Sequence, residues 1–135
     1  VVLKYPSRIA YKVNNESITY KELWDNALEY SKYLKKQGVS PVIIYGHKEI
    51  YVIETIIACL MANRTYVPVN SNTPLIRLNK ILDMTKSTLV ISNQKLDINV
   101  DCVSVDELNK YNNELDKEII NDILYMIFIF LLLSF

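Results

Sequence analysis

One histidine, His47, and a scatter of carboxylates, thiols and arginines are the side chains of this 135-residue chain that could carry chemistry. His47 follows the apolar run Pro41 to Tyr45 and Gly46, a position past a strand end where open α/β sheets hold ligands. A catalytic imidazole needs a carboxylate or metal to orient it. None is implied nearby, so His47 reads as a turn histidine satisfied by backbone. Glu22 and Glu107 offer the carboxylates of a general acid or base. Each stands three residues after a hydroxyl, Thr19 and Ser104, which is the spacing of a capping box, where side chains serve helix-end donors. Arg77 could face a phosphate, but its expected place is a helix surface or an ion pair. Cys59 and Cys102 lack partners at metal-ligand spacing and are too few for a disulfide framework, so they are expected as free, partly buried thiols. No residue is assigned a catalytic, cofactor-binding or metal-ligating role.

Composition narrows the field further. Fifteen basic and fifteen acidic residues cancel without a basic block, which argues against nucleic-acid and anionic-membrane partners. The ten tyrosines are scattered without clustered cations, so they serve packing and not base stacking. Glycine is scarce, with Gly38 and Gly46 alone. A phosphate-cradling loop needs several close together so that backbone N–H groups can approach the anion. A hydrophobic share of 50% suffices for the core of one domain. The chain opens on Val1-Val2-Leu3-Lys4, with no secretory pattern and no initiator methionine, so a cytoplasmic location and a start further upstream are expected.

The elements that position these residues follow from spacing. Arg8 to Val13 and Ser17 to Thr19 flank the turn signal Asn14-Asn15 and predict a hairpin. Tyr20, Leu23, Trp24, Ala27, Ser31 and Leu34 recur at helical spacing, and the helix stops at Gly38. Pro41 to Tyr45 is a buried strand; Lys48 to Ala62 is a helix with Asn63 as its cap; Thr65 to Val69 is extended, with Pro68 confining it to an edge. Pro74 opens a third helix. Thr88 to Ile91 and Val100 to Val103 predict two more strands, then a short helix from Val105 to about Lys110 and a surface linker from Tyr111 to Lys117. Alternation of strand and helix predicts an α/β fold with a mostly parallel sheet.

The end is unusual. Ile123 to Phe128 would make a central strand, yet the apolar run continues from Ile129 to Phe135 with no turn residue. A membrane span needs about 20 apolar residues, more than this segment supplies, so no transmembrane span is expected; self-association through the tail is.

Three pieces, Ile18-Thr19-Tyr20-Lys21-Glu22-Leu23, the segment Leu60 to Val69 and Pro74-Leu75-Ile76-Arg77-Leu78, resemble the N-terminal part of the adenylate-forming, or AMP-binding, ligase superfamily. Glu22-Leu23-Trp24 and Ser40 to His47 are most similar to the branch that activates D-alanine for a D-alanyl carrier protein. The resemblance implies a partial N-terminal subdomain over residues 1–128, with 129–135 as an aberrant hydrophobic tail. For the intact family it implies ATP and Mg²⁺, an aminoacyl-AMP intermediate and transfer to the thiol of a D-alanyl or peptidyl carrier protein, in relatives for teichoic acid D-alanylation. Two departures are Asn63 for the usual glycine and Asn70 for the usual aspartate. A larger one is that 129–135 stands where the family carries its Thr/Ser/Gly-rich phosphate loop, so this fragment is expected to bind no cofactor and to be inactive alone. Two alternatives stay open: part of a peptide-synthetase adenylation domain, or a non-catalytic truncated remnant.

Overall fold

A computed structural model of the chain describes residues 2–108 and 117–134. The expected linker, and the extension of the preceding helix to Lys110, fall mainly outside them. The chain begins with strands β1 (Ile9–Val13) and β2 (Glu16–Thr19), paired antiparallel. Asn14 and Asn15 both adopt left-handed φ, 49° and 66°, as a two-residue type I′ turn requires and as asparagine tolerates.

Helix α1 (Tyr20–Lys36) starts at Thr19, whose hydroxyl accepts the Glu22 N–H at 3.2 Å. The capping box is half realised. The Glu22 carboxylate accepts from the Thr19 hydroxyl at 3.0 Å and does not close the reciprocal bond to the cap's own N–H. Lys35 and Lys36 occupy the last turn, where cations suit the negative helix end. Gly38 then takes a φ of 97°, which explains glycine there.

Strand β3 (Val42–Gly46), helix α2 (Ile50–Met61), strand β4 (Tyr66–Asn70), helix α3 (Leu75–Thr85) and strands β5 (Leu89–Ile91) and β6 (Asp101–Val103) follow. The sheet runs in the order β4-β3-β5-β6 with every pair parallel. Pro68 lies on the edge strand as predicted, where its missing N–H costs least. α2 closes in a Schellman turn: Asn63 is left-handed, the Arg64 N–H bonds the Cys59 carbonyl at 2.8 Å, and the Asn63 N–H bonds that of Leu60 at 3.2 Å. Asn63 thus performs the capping role expected of it. Pro74 precedes α3 as its extended N-cap and is not its first helical residue. The short helix α4 (Val105–Leu108) begins on a backbone contact, the Glu107 N–H to the Ser104 carbonyl at 3.1 Å.

Alternation along β3 and β5 divides the core. Val42, Ile44, Leu89 and Ile91 pack with α1 and α2, whereas Ile43, Tyr45 and Val90 pack with Leu78 and Leu82 of α3. Burying each such aliphatic side chain contributes roughly 1.5–3 kcal/mol. This is a parallel sheet between helical layers, the predicted fold class.

One expectation is corrected. Residues 117–134 form helix α5 (Lys117–Ser134), so Ile123 to Phe128 is no strand. A strand needs a neighbour for its backbone groups, whereas a helix satisfies its own. Ile127 and Leu131, four apart, also fall on one helical face and bury against the core beside α2.

Candidate functional site

The C-terminal ends of parallel strands are where open α/β sheets hold ligands, and β3 and β4 end there side by side at Gly46 and Asn70. His47 follows Gly46 and is exposed. Its Nδ1 lies 3.3 Å from the Asn70 side-chain nitrogen. An amide nitrogen donates, so Nδ1 is the acceptor in this contact. The partner expected for His47 was backbone; the fold supplies a side chain from the neighbouring strand. The Glu49 carboxylate accepts from the His47 N–H at 2.6 Å and leaves the ring alone. Asn70 Oδ1 accepts from the Asn72 N–H at 2.8 Å, and the Tyr45 hydroxyl lies 2.8 and 2.7 Å from the Ser71 and Thr73 carbonyls. These bonds knit a turn.

Gly46 is required for closeness. A Cβ there would meet the Tyr51 hydroxyl at 2.5 Å and Val52 Cγ2 at 2.6 Å. That hydroxyl donates to the Tyr45 carbonyl at 2.5 Å, and burial, with the Glu49 charge second, raises its pKa. Tyr51 and Val52 thus pack directly against Gly46. The one strand-end glycine is covered by Tyr51.

The other candidates are dispersed. Glu22 serves Thr19, Arg77 is exposed on α3, and Glu107 is exposed on α4. Cys59 and Cys102 are free thiols, as expected; Cys59 is fully buried and Cys102 half-buried.

Two buried charges escaped the sequence reading. Arg64, 6% exposed, donates from Nη1 to the Leu34 carbonyl at 3.0 Å and from Nη2 to the Ser40 carbonyl. Burial lowers its pKa. Glu54 on α2, 4% exposed, accepts from the Asn26 amide at 2.5 Å and the Tyr30 hydroxyl at 3.5 Å, both on α1. Burial raises its pKa against those two bonds, which lower it. The one available signal was position: each interrupts an apolar segment, at Glu54 within the α2 stripe and at Arg64 between Ala62 and Val67.

Residues 1–126 match the family of AMP-binding enzymes. The chain belongs to that family. The D-alanine--D-alanyl carrier protein ligase of Bacillus licheniformis is 30% identical to this AMP-binding family member over 91 residues, 65% of this chain and 18% of that protein. Tyrocidine synthase 3 of Brevibacillus parabrevis is 31% identical over 102 residues, 73% of this chain and 2% of that one. The N-terminal subdomain of Klebsiella oxytoca NpsA has a TM-score of 0.68 at 21% identity, covering 81% of this chain and 30% of its own. O-succinylbenzoate coenzyme A synthetase of Bacillus subtilis, in complex with ATP and magnesium ion, has a TM-score of 0.68 at 19% identity, covering 85% and 34%. At such identities the structural likeness concerns the fold. The family member spans about a fifth of the length of the D-alanine ligases it matches. In this chain His47 and Asn70 meet at a strand end, and Glu54 joins α2 to α1 while Arg64 ties the end of α2 to that of α1.

Proposed function

We propose that these residues form the N-terminal scaffold of an ATP-dependent ligase that activates D-alanine as D-alanyl-AMP and passes it to the thiol of a carrier protein. Residues 1–128 are the adenylation-domain portion and 129–135 a departing hydrophobic tail. The observation that carries the reading is the family match over residues 1–126 together with relatives named as D-alanine--D-alanyl carrier protein ligases. The intact ligase uses ATP and Mg²⁺, acts in the cytoplasm and serves teichoic acid D-alanylation. The 135 residues alone are inactive, because adenylation depends on donors arranged around phosphate, and the sequence has an apolar run at 129–135 in place of a Thr/Ser/Gly-rich loop.

ATP–pyrophosphate exchange with D-alanine tests this in two arms. The 135-residue chain shows none above background; exchange would overturn its inactivity. A chimera of the Bacillus licheniformis ligase, with its matched segment replaced by this one, retains D-alanine-dependent exchange. A folded but inert chimera would overturn the scaffold assignment.

Tyrocidine synthase 3 favours a second reading, a peptide-synthetase adenylation domain serving a peptidyl carrier. Exchange across an amino-acid panel, on protein expressed with any downstream coding sequence, separates the two. Helix α5, standing where a strand and loop were expected, favours a third, a non-catalytic remnant. Reading the coding DNA past Phe128 in three frames tests it: a Ser/Gly-rich loop in another frame supports a remnant.

A further inference from the structure

Helix α5 is apolar all round over its last turns, and one side of it is covered. Ile127 and Leu131 are buried, and the Phe128 ring lies 6.4 Å from that of Tyr20. On the other side Tyr125, Met126, Ile129 and Leu133 recur at i, i+1, i+4 and i+8. With Phe130 and Leu132 they stand between 40% and 83% exposed. At roughly 200 Å² for a whole side chain of this size, they leave on the order of 700 Å² of apolar surface outward. A helix apolar on all sides is buried somewhere, and a patch this size exceeds what a monomer ordinarily shows.

We propose that this face is a homodimer interface, with α5 of one chain packed against α5 of a second copy. The area is what one partner contributes to a standard stable interface, about 800 Å². From Ile123 to Phe135 the sequence has no charged residue, so identical faces meet without like-charge repulsion, whereas an ionic partner finds nothing to pair with. A bilayer is the weaker occupant, since no helix of the described residues is long and apolar enough to cross one. A groove of about 340 Å³ between β1 and α5, lined by Tyr11, Tyr20, Phe128, Leu131 and Leu132 with Lys12 as its one charged residue, continues the surface. It receives side chains from the partner's helix.

Sedimentation velocity on the full chain tests the interface. The expected result is a discrete dimer that dissociates on dilution. Met126→Lys with Leu133→Lys, both at exposed positions, weakens dimerisation more than ~100-fold because each would bury an unpaired charge, while far-UV circular dichroism stays unchanged. Ile129→Cys in a Cys102→Ser background then gives an oxidised, covalently linked dimer. A monomer at every concentration would leave the face to another part of a longer polypeptide and overturn the proposal. So would polydisperse aggregates, a dimer indifferent to the two lysines, or recruitment to phosphatidylcholine vesicles in place of dimerisation.

Discussion

The Arg64 guanidinium, just beyond the end of α2, donates at 3.0 Å to the Leu34 carbonyl near the end of α1. A second arm holds the Ser40 carbonyl at the entry to β3. One side chain thus ties together two helix ends and a strand start, and it gives the Leu34 carbonyl a second, stronger donor beside the long C-cap bond from the Gln37 N–H at 3.4 Å.

Arg64→Met keeps the length and removes both bonds. Hydrogen bonds from a charged group contribute about 1.5–3 kcal/mol each, and of the carbonyls left behind that of Leu34 is buried and that of Ser40 partly so. The expected loss is ~2–4 kcal/mol in urea denaturation. Arg64→Lys recovers little of it, because an ammonium cannot span two carbonyls as a planar fork does. An unchanged midpoint would show that the clamp is dispensable.

The two glycines respond differently to alanine. At Gly46 the new methyl would collide with Tyr51 and Val52, an overpacking expected to cost ~1–3 kcal/mol. At Gly38 nothing lies within 4 Å, but φ is +97°, so the cost is backbone strain of ~1 kcal/mol. Adding Tyr51→Phe to Gly46→Ala relieves part of the first and leaves the second alone. Thermal unfolding of the three variants reads this out.

Glu54 makes stability depend on pH in the direction opposite to a salt-bridged carboxylate. Burial holds its folded pKa above the ordinary 4.5, so the folded state keeps a proton that the unfolded state has released. Its protonated form contributes stability that is fully present below pH 4.5 and is lost as pH rises through the folded pKa. Glu54→Gln keeps the shape without the charge. It should gain on the natural protein as pH rises above 4.5, and denaturant titrations that stay parallel across that window would contradict this.

The thiols differ in reach. Burial pushes Cys59 up to about 12, against the opposing pull of Arg64, and its side chain is fully enclosed. Ellman's reagent at mild alkaline pH is expected to modify Cys102 in the native protein and Cys59 only after unfolding, since the thiolate is the reacting species. Equal rates in the native protein would contradict the burial.

Local chemistry was readable where a residue answers mainly to its neighbours in sequence. Asn14-Asn15 announces a tight turn because asparagine tolerates left-handed φ. Thr19 announces a helix start, Asn63 a helix end and Pro68 an edge strand, each through its own donors and dihedrals. The placement of His47 past β3 was equally plain, but its partner was not, since Asn70 is twenty-three residues away and arrives through parallel pairing.

What the sequence alone determined is the alternation of strands and helices, the family signature carried on their turns, and the want of a glycine-rich phosphate loop. Tertiary structure decided what depends on neighbours distant in the chain: β3 between β4 and β5, Glu54 and Arg64 as joints between α1 and α2, and the last apolar run as a helix. That run suits a strand and a helix about equally by composition. Which one forms depends on whether a sheet edge or a packing surface is available to it, and here Ile127 and Leu131 found a core to bury against.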